Sequence, residues 1–296
     1  MQLNRIRICL IVLIFSVVLI SACRKKPEIN FTTRNGAFIQ TNSAYVIIGN
    51  IAIKTNSPLN TDEFKKFMLR ENALEKIENS SSPDHIEKFV DGAWALAKDY
   101  PNRPNGYQSI MSAIGDYQYL GKPDRARALA QEMIDSSAPD YFKQWAKGFL
   151  YRLDSMGKPV EIKFIAIDGR DVDLAKMKGN VVLVDFWGDD NELPQVKAAF
   201  EKFHAQGFEI IGIYNSTDKN RMEEFLKKYD ISWPQYFVGK QMNKFAVEFG
   251  IDGFPQMFLV DKEGCLRFDN VRAGNFHPKG DTTSFEEKIS KLLAEQ

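Results

Sequence analysis

The sequence predicts an all-α module over residues 61–156, followed by an α/β domain over residues 157–296. In the first part, apolar residues recur at three- and four-residue spacing, which is typical of helices with one buried face. In the second part, short apolar runs alternate with amphipathic segments, which is typical of strands joined by helices. Residues 181–186 are apolar at nearly every position, as expected for a strand in a sheet that is covered on both faces.

The N-terminus has the features of a secretion signal over residues 1–22. Two arginines precede an apolar run from Ile8 to Ile20, which is shorter than the ~20 residues that a membrane-spanning helix needs. The run ends in Ile20-Ser21-Ala22-Cys23. Small residues before a cysteine resemble the lipobox of bacterial lipoproteins, in which the signal is removed and the cysteine is acylated. We therefore expect Cys23 to be the lipid attachment site; the alternative is an ordinary signal that is cut near Ala22.

The same segment predicts a location and a tether. Because residue 24 is Arg and not Asp, resemblance to the usual sorting pattern favours an outer-membrane lipoprotein that faces the periplasm of a bacterial envelope. Residues 23–60 are polar and mixed, and they could form a lipid-anchored linker that contains a short β-hairpin near Tyr45–Ile48.

The composition argues against nucleic-acid binding, and the cysteine positions leave a single free thiol. With 44% hydrophobic residues, 26% charged residues and a net charge of +0, the chain is an ordinary globular protein with no electrostatic reason to bind nucleic acid. Of the cysteines at positions 9, 23 and 265, only Cys265 keeps a free side chain after processing, so no intramolecular disulfide is expected.

The helices of the first part begin at recognisable signals. These are Asp84 before His85, Asn105, Pro123-Asp124 and Pro139-Asp140. Residues 119–126 resemble the corner between two helices of a tetratricopeptide-type repeat. Because a single corner without a sustained repeat is weak evidence, the prediction stays at a helical bundle or a repeat-like module.

The second part predicts its elements in a definite order. Strands are expected at Ile162–Ile167, Val181–Phe186 and Phe208–Tyr214, with a short helical connection from Val172 to Gly179. A helix is expected to follow each of the last two strands, one from Leu193 and one over Arg221–Tyr229. A hairpin of Gln256–Asp261 with Leu266–Asn270 and a helix over Phe285–Leu293 complete the chain. This βαβ unit followed by ββα is the order of a thioredoxin-like fold.

Several motifs resemble those of TlpA-like, redoxin-type (AhpC/TSA-related) thiol:disulfide oxidoreductases of the bacterial envelope. The motifs are Gly157-Lys158-Pro159-Val160, the segment Asp168–Leu174, the segment Lys178–Trp187, the segment Gly207–Gly212 and the segment Phe249–Pro255. In that family the strand that ends in Phe-Trp is followed by Ala-x-Trp-Cys-x-x-Cys and then by Glu-Leu-Pro. Here only Gly188-Asp189-Asp190-Asn191 separates Phe186-Trp187 from Glu192-Leu193-Pro194, so both cysteines are missing.

The shortened segment predicts a loss of thiol chemistry. A thioredoxin-type nucleophile is a thiolate at a helix N-terminus, whereas Asp189, Asp190 and Asn191 are residue types that cap helices. We expect them to cap the helix that begins near Leu193. Carboxylates at this place would also repel thiolates.

The resemblance implies roles for four further positions. Asp185 matches the buried acid that moves protons in the enzymes, Trp187 matches the tryptophan that shields the cleft, and Phe254-Pro255 match the cis-proline site beside the dithiol. Asp185, Trp187, Asp189, Asp190, Phe254 and Pro255 would thus line a vestigial cleft. In the family the proline edge pairs with extended peptides, and pairing by strand addition needs no cysteine.

Other chemistries are poorly supported by the sequence. His85, His204 and His277 have no metal-ligand spacing, and no phosphate-binding glycine loop or nucleophile elbow is present. Asp189, Asp190 and Glu192 could suggest a cation site, but helix capping explains them with fewer assumptions. We expect no metal and no cofactor.

The leading hypothesis is a lipoprotein whose thioredoxin-like domain has lost catalysis and binds or scaffolds another envelope protein or an extended peptide. An alternative is a redox protein that uses Cys265 or a partner's thiol, for which Cys265 should be exposed and have a lowered pKa. A third hypothesis is a structural lipoprotein in which the region around Trp187 and Pro255 is closed.

Overall fold

The described part of the chain comprises residues 30–31, 45–48, 51–54, 61–78, 85–239, 243–274 and 281–295 of a computed structural model. The predicted signal segment, Cys23 and His277 lie outside these residues. The chain divides into two compact units, residues 1–113 and 114–296. The predicted boundary between residues 156 and 157 falls inside the second unit.

The first unit contains a small sheet and the first helices. Strands β1 (Asn30–Phe31), β2 (Tyr45–Ile48) and β3 (Ile51–Lys54) form an antiparallel sheet in the order β1-β3-β2, and β2 with β3 is the hairpin that the sequence allowed. Helices α1 (Asp62–Glu78) and α2 (His85–Asp99) follow, and α3 (Asn105–Tyr119) begins in this unit. The predicted starts at His85 and Asn105 are confirmed.

The second unit opens with two helices that pack on each other. They are α4 (Pro123–Asp135) and α5 (Asp140–Asp154), and both predicted starts are confirmed. Each helix has buried apolar residues, including Leu129 and Met133 on α4 and Trp145 and Phe149 on α5. The first of these helices begins with proline, whose missing N–H is harmless in the first turn.

A five-stranded mixed sheet forms the centre of the second unit. It consists of β6 (Val181–Trp187), β7 (Phe208–Tyr214), β8 (Gln235–Tyr236), β9 (Gln256–Val260) and β10 (Leu266–Val271), in the order β10-β9-β6-β7-β8. The β6–β7 and β7–β8 pairs are parallel, whereas β9 runs antiparallel to both β6 and β10. Every residue of β6 is buried, which confirms the predicted sheet with two covered faces.

Helices and a small second sheet cover this central sheet. The helices are α6 (Leu193–Phe203), α7 (Lys219–Lys228), α8 (Lys244–Glu248) and α9 (Phe285–Ala294), and the second sheet is β4 (Lys163–Ile165) with β5 (Asp171–Asp173). The β6–α6–β7 unit followed by β9, β10 and α9 confirms the predicted thioredoxin-like order.

The predicted helical connection from Val172 to Gly179 is wrong in its first part. Val172 lies in β5 and pairs with Phe164, and its side chain is buried. Only Leu174–Met177 forms a 3-10 turn, capped by the carboxylate of Asp173, which accepts the N–H of Ala175 at 3.1 Å. The pairing with β4 outweighs local helix propensity. The sequence did not predict β8 and α8, which are short and depend on their neighbours.

Candidate functional site

The candidate site centres on the loop between β6 and α6, the segment in which the enzymes that the sequence motifs resemble carry their dithiol. This loop consists of Gly188-Asp189-Asp190-Asn191-Glu192 and follows the fully buried end of β6. The carbonyl of Trp187 accepts a 2.7 Å hydrogen bond from the N–H of Asn215, which fixes the point where the loop leaves the sheet. The side chains that could act here are therefore positioned by the ends of β6 and β7.

The predicted capping role of Asp189, Asp190 and Asn191 is wrong. Helix α6 begins at Leu193 with Glu192 at the N-cap position, and no side chain accepts a capping hydrogen bond there. Asp189 instead closes a local turn, because its carboxylate accepts both the N–H and the side-chain amide of Asn191, at 3.1 and 2.6 Å. Proline in the first turn limits the number of N–H groups that need a cap.

Asp190 connects the loop to helix α7. One carboxylate oxygen accepts hydrogen bonds of 2.8 Å from both the ammonium group of Lys228 and the phenol of Tyr229. These bonds hold the pKa of Asp190 below its usual range and raise the pKa of Lys228 to about 12. The charge of Asp190 is thus paired with a cation, and Asp190 contributes less repulsion of anions than the sequence suggested.

Glu192 connects the same loop to the segment after β10. Its carboxylate accepts the backbone N–H groups of Ala273 and Gly274 at 2.7 and 3.3 Å, and it lies 3.4 Å from the guanidinium of Arg272. The same guanidinium nitrogen donates a 2.5 Å hydrogen bond to the carbonyl of Pro255. Glu192 and Arg272 together link the start of α6, the end of β10 and the proline that precedes β9.

Asp185 is a buried acid close to this network. It is fully inaccessible on β6, and neither carboxylate oxygen has a hydrogen-bond partner among the described residues. Burial is the main cause that raises the pKa of Asp185 to about 8; the negative charge of Glu192 adds to the rise and the positive charge of Arg272 opposes it. At neutral pH the side chain is therefore a neutral carboxylic acid that can hold or release a proton.

Trp187 is sealed inside the domain. Only 2% of its surface is exposed, and its indole N–H donates a 2.9 Å hydrogen bond to the side-chain carbonyl of Gln235. Gly212 makes room for that amide, because a Cβ at this position would lie 2.1 Å from the same oxygen. Around the indole lie Leu193, Tyr214 and Met222, which are all buried. The tryptophan side of the cleft is closed.

The proline side of the cleft remains partly accessible. We define the proline loop as residues 251–255, which join α8 to β9. The Phe254–Pro255 bond is cis, as the sequence predicted, and both residues are half-buried. Among the described residues, neither the N–H nor the carbonyl of Phe254 has a backbone hydrogen-bond partner. The backbone N–H and C=O of Phe254 are therefore available to pair with another extended chain.

Cys265 lies away from this site. Cys265 follows the turn at the far end of β9, whereas Pro255 directly precedes the start of β9. At the rise of a strand, Cys265 and Pro255 are therefore about 20 Å apart. The N–H of Cys265 donates to the carboxylate of Asp261 at 2.9 Å. Burial and the negative charges of Asp261 and Glu263 raise the pKa of the thiol, so the thiolate is disfavoured.

The sequence did not identify Arg272, Gln235 or Tyr229 as residues of the site, and it considered Glu192 only as part of a motif and of a disfavoured cation site. The Glu-Leu-Pro motif was the signal that could have singled out Glu192. Within the described residues, no group of three or more His, Cys, Asp or Glu side chains could hold a metal ion. No described helix is both long and apolar enough to cross a membrane.

Comparisons with known proteins agree with this geometry. Residues 179–266 match the family described as Thioredoxin-like. The chain is 26% identical over 103 residues to the thiol-disulfide oxidoreductase ResA of Bacillus cereus, a match that covers 33% of this chain and 58% of that protein. It is also 26% identical over 215 residues to the chloroplastic peroxiredoxin Q of Suaeda salsa, covering 67% of this chain and 92% of that protein.

One of the similar solved structures is the thioredoxin domain of a thiol-disulfide oxidoreductase from Bacteroides vulgatus. It is 25% identical, with a TM-score of 0.40, and the match covers 47% of this chain and 97% of that domain. The chain spans little more than half the length of the ResA protein that it matches. The C-terminal part of this chain therefore contains a thioredoxin-like domain, and it is similar in sequence to thiol-disulfide oxidoreductases.

Proposed function

We propose that this protein is a lipid-anchored protein of the bacterial envelope whose thioredoxin-like domain binds an extended peptide and performs no thiol–disulfide exchange. One observation carries the second half of the proposal. Where the resembling enzymes have their dithiol, two of the three carboxylates in the loop after β6 bind other elements of the domain, Asp190 with α7 and Glu192 with the segment after β10. Neither group can act as a redox nucleophile.

The alternative, a redox protein that depends on Cys265, finds no support in the environment of that thiol. A reactive cysteine needs a lowered pKa, usually from a nearby cation or a helix N-terminus. Cys265 instead has a raised pKa and two neighbouring acids. The hypothesis of a wholly closed cleft is also less attractive, because Trp187 is sealed whereas the proline loop is partly accessible.

Peptide binding is supported by the backbone of Phe254, whose N–H and C=O have no backbone hydrogen-bond partner among the described residues. A single backbone N–H and carbonyl at the border of a sheet can pair with an extended segment by strand addition, and main-chain pairing tolerates many side chains. The membrane anchor is supported by Cys23 and the apolar run before it. The partner would be another envelope protein that presents an extended segment.

Two measurements on the purified protein, residues 24–296, test the proposal. We expect no acceleration of insulin reduction by dithiothreitol above that of an unrelated protein. Turnover that disappears in Cys265→Ser would instead support the redox alternative. Fluorescence anisotropy should show saturable binding of a labelled insulin B chain whose cysteines are carbamidomethylated.

A photo-crosslinking amino acid can locate that binding. Placed at Phe254, it should form an adduct with the labelled B chain. Placed at Ile165, which is 64% exposed on β4, it serves as the matched control and should form none. No saturable binding, or equal crosslinking at both positions, would contradict the peptide hypothesis.

A further inference from the structure

Helix α5 packs directly on the backbone at the end of α8. A Cβ at Gly148 of α5 would lie 2.2 Å from the carbonyl oxygen of Val247 and 2.5 Å from the nitrogen of Gly250. The reverse holds too, since a Cβ at Gly250 would lie 2.2 Å from the nitrogen of Phe149. The two backbones are therefore in contact with no side chain between them, and only glycine fits at either position.

This contact falls on the structure that begins the proline loop. Helix α8 ends in a Schellman motif, in which the N–H of Gly250 bonds the carbonyl of Val247 at 3.2 Å and the N–H of Ile251 bonds that of Ala246 at 2.7 Å. Gly250 has a φ of +58°, as that motif requires. The loop leaves α8 at the next residue. The proline loop therefore starts from backbone that is in direct contact with α5.

A buried cation on α5 provides a second connection. Arg152 lies one turn after Gly148 and is 4% exposed, and its Nε atom is 3.5 Å from the carboxylate of Asp269 on β10. Gln118 donates a 2.7 Å hydrogen bond to the same carboxylate. Burial lowers the pKa of Arg152, and the charges of Asp269 and of Asp252 in the proline loop oppose this effect. Arg152 thus attracts both the loop and the outer strand of the sheet.

A third contact lies beside these two. The ring of Tyr151 on α5 is 5.6 Å from the ring of Phe249, the residue that caps α8. Tyr151 is 41% exposed, so its ring covers Phe249 from the surface. Gly148, Tyr151 and Arg152 lie on one face of α5. Together they contact or attract the segment from the end of α8 to the proline loop.

We propose that α5 positions the proline loop for peptide binding, with Gly148 and Arg152 as positioning residues that bind no ligand themselves. This inference rests on the proposed function, because it assigns to α5 the control of the same peptide site. If α5 only filled the core, substituting Gly148 would lower the stability of the protein without changing the proline loop or the affinity of the protein for a peptide. A positioning role and a purely structural role of α5 can therefore be distinguished by hydrogen exchange at the end of α8 and by peptide affinity.

The test compares two glycine-to-alanine substitutions in residues 24–296. In Gly148→Ala the new methyl group collides with α8, whereas in Gly115→Ala on α3 it meets nothing within 4 Å. Hydrogen exchange is followed at the amides of Gly250 and Ile251, which close α8, and at those of β6. Binding of the carbamidomethylated insulin B chain is measured on the same samples.

We expect Gly148→Ala to speed exchange at Gly250 and Ile251, to leave β6 unchanged, and to weaken peptide binding about tenfold, the result of a misplaced loop. Gly115→Ala should match the wild type in all three. If Gly148→Ala does not fold, Tyr151→Ala replaces it. We then expect faster exchange at Gly250 and Ile251 and weaker peptide binding, with both effects smaller than for Gly148→Ala.

The failure of this inference is distinct from the failure of the proposed function. Unchanged exchange at Gly250 and Ile251 with unchanged affinity, in a folded variant of lower thermal stability, would overturn the positioning role of α5. Absence of B-chain binding by the wild-type protein would overturn the peptide site. In that case faster exchange in Gly148→Ala would still support control of the loop by α5.

Discussion

The carboxylate of Glu192 accepts a 2.7 Å hydrogen bond from the backbone N–H of Ala273. Glu192 lies at the start of α6, and Ala273 lies just after β10. Glu192 therefore forms a structural link between the start of α6 and the segment after β10. This relationship can be tested by removing the carboxylate.

Glu192→Ala should lower the free energy of unfolding by about 1–3 kcal/mol, because it leaves the backbone N–H groups of Ala273 and Gly274 without their carboxylate acceptor and removes the negative charge beside Arg272. Glu192→Gln keeps a neutral acceptor and should lose less. Urea unfolding of residues 24–296 measures both. Glu201→Ala is the control, since Glu201 lies on the same helix with its side chain 65% exposed. A loss in Glu192→Ala no larger than in this control would show that the link does not stabilise the domain.

Asp185→Asn should stabilise the protein increasingly as the pH rises from about 4 to 8. The folded state keeps the wild-type carboxyl protonated up to a pKa of about 8, whereas the unfolded chain ionises it near 3.8. The bound proton therefore stabilises the folded wild type fully below about pH 4. Between about pH 4 and 8 this stabilisation falls by at most about 1.4 kcal/mol per pH unit, and it is lost once the pH has risen through 8.

Urea titrations at several pH values measure this difference. The unfolding free energy of Asp185→Asn minus that of the wild type should rise through this range and level off above pH 8. Asparagine is nearly isosteric with aspartate and does not titrate, so the subtraction isolates the carboxyl. A difference that stays constant with pH would mean that Asp185 is not a buried neutral acid.

Gly212→Ala should cost about 1–3 kcal/mol of stability, because the methyl group displaces the amide of Gln235 and leaves the buried indole N–H of Trp187 without its acceptor. The matched control is Gly188→Ala at the end of β6, where the nearest atom would be 3.6 Å away. Thermal unfolding followed by circular dichroism compares the two. Equal midpoints would indicate that Gln235 moves aside at little cost.

Cys23→Ser should abolish labelling by a palmitate analogue in bacterial cells and should release the protein from the membrane fraction. The reason is that Cys23 is the residue expected to carry the lipid after the small residues of the lipobox. Cys265→Ser controls for the loss of a thiol and should be labelled like the wild type. Equal labelling of wild type and Cys23→Ser would support an ordinary signal peptide instead.

The sequence alone determined the order of the longer strands and helices and the absence of a Cys-x-x-Cys motif. Apolar runs such as Val181–Trp187 and start signals such as Pro123 are local, so they can be read without knowing the neighbours. The motif around Phe254 and Pro255 likewise located the partly open side of the cleft. These features depend on residues that are close in the chain.

The tertiary structure alone decided which charges meet. Glu192 and Arg272 are 80 residues apart in the sequence, and they meet just after β10, whose pairing with β9 is irregular between Phe268 and Val271. Asp190 looked like a helix cap and instead binds Lys228 and Tyr229. A carboxylate goes to the nearest available donors, and strand register and helix packing determine which donors those are; the local sequence pattern does not contain that information.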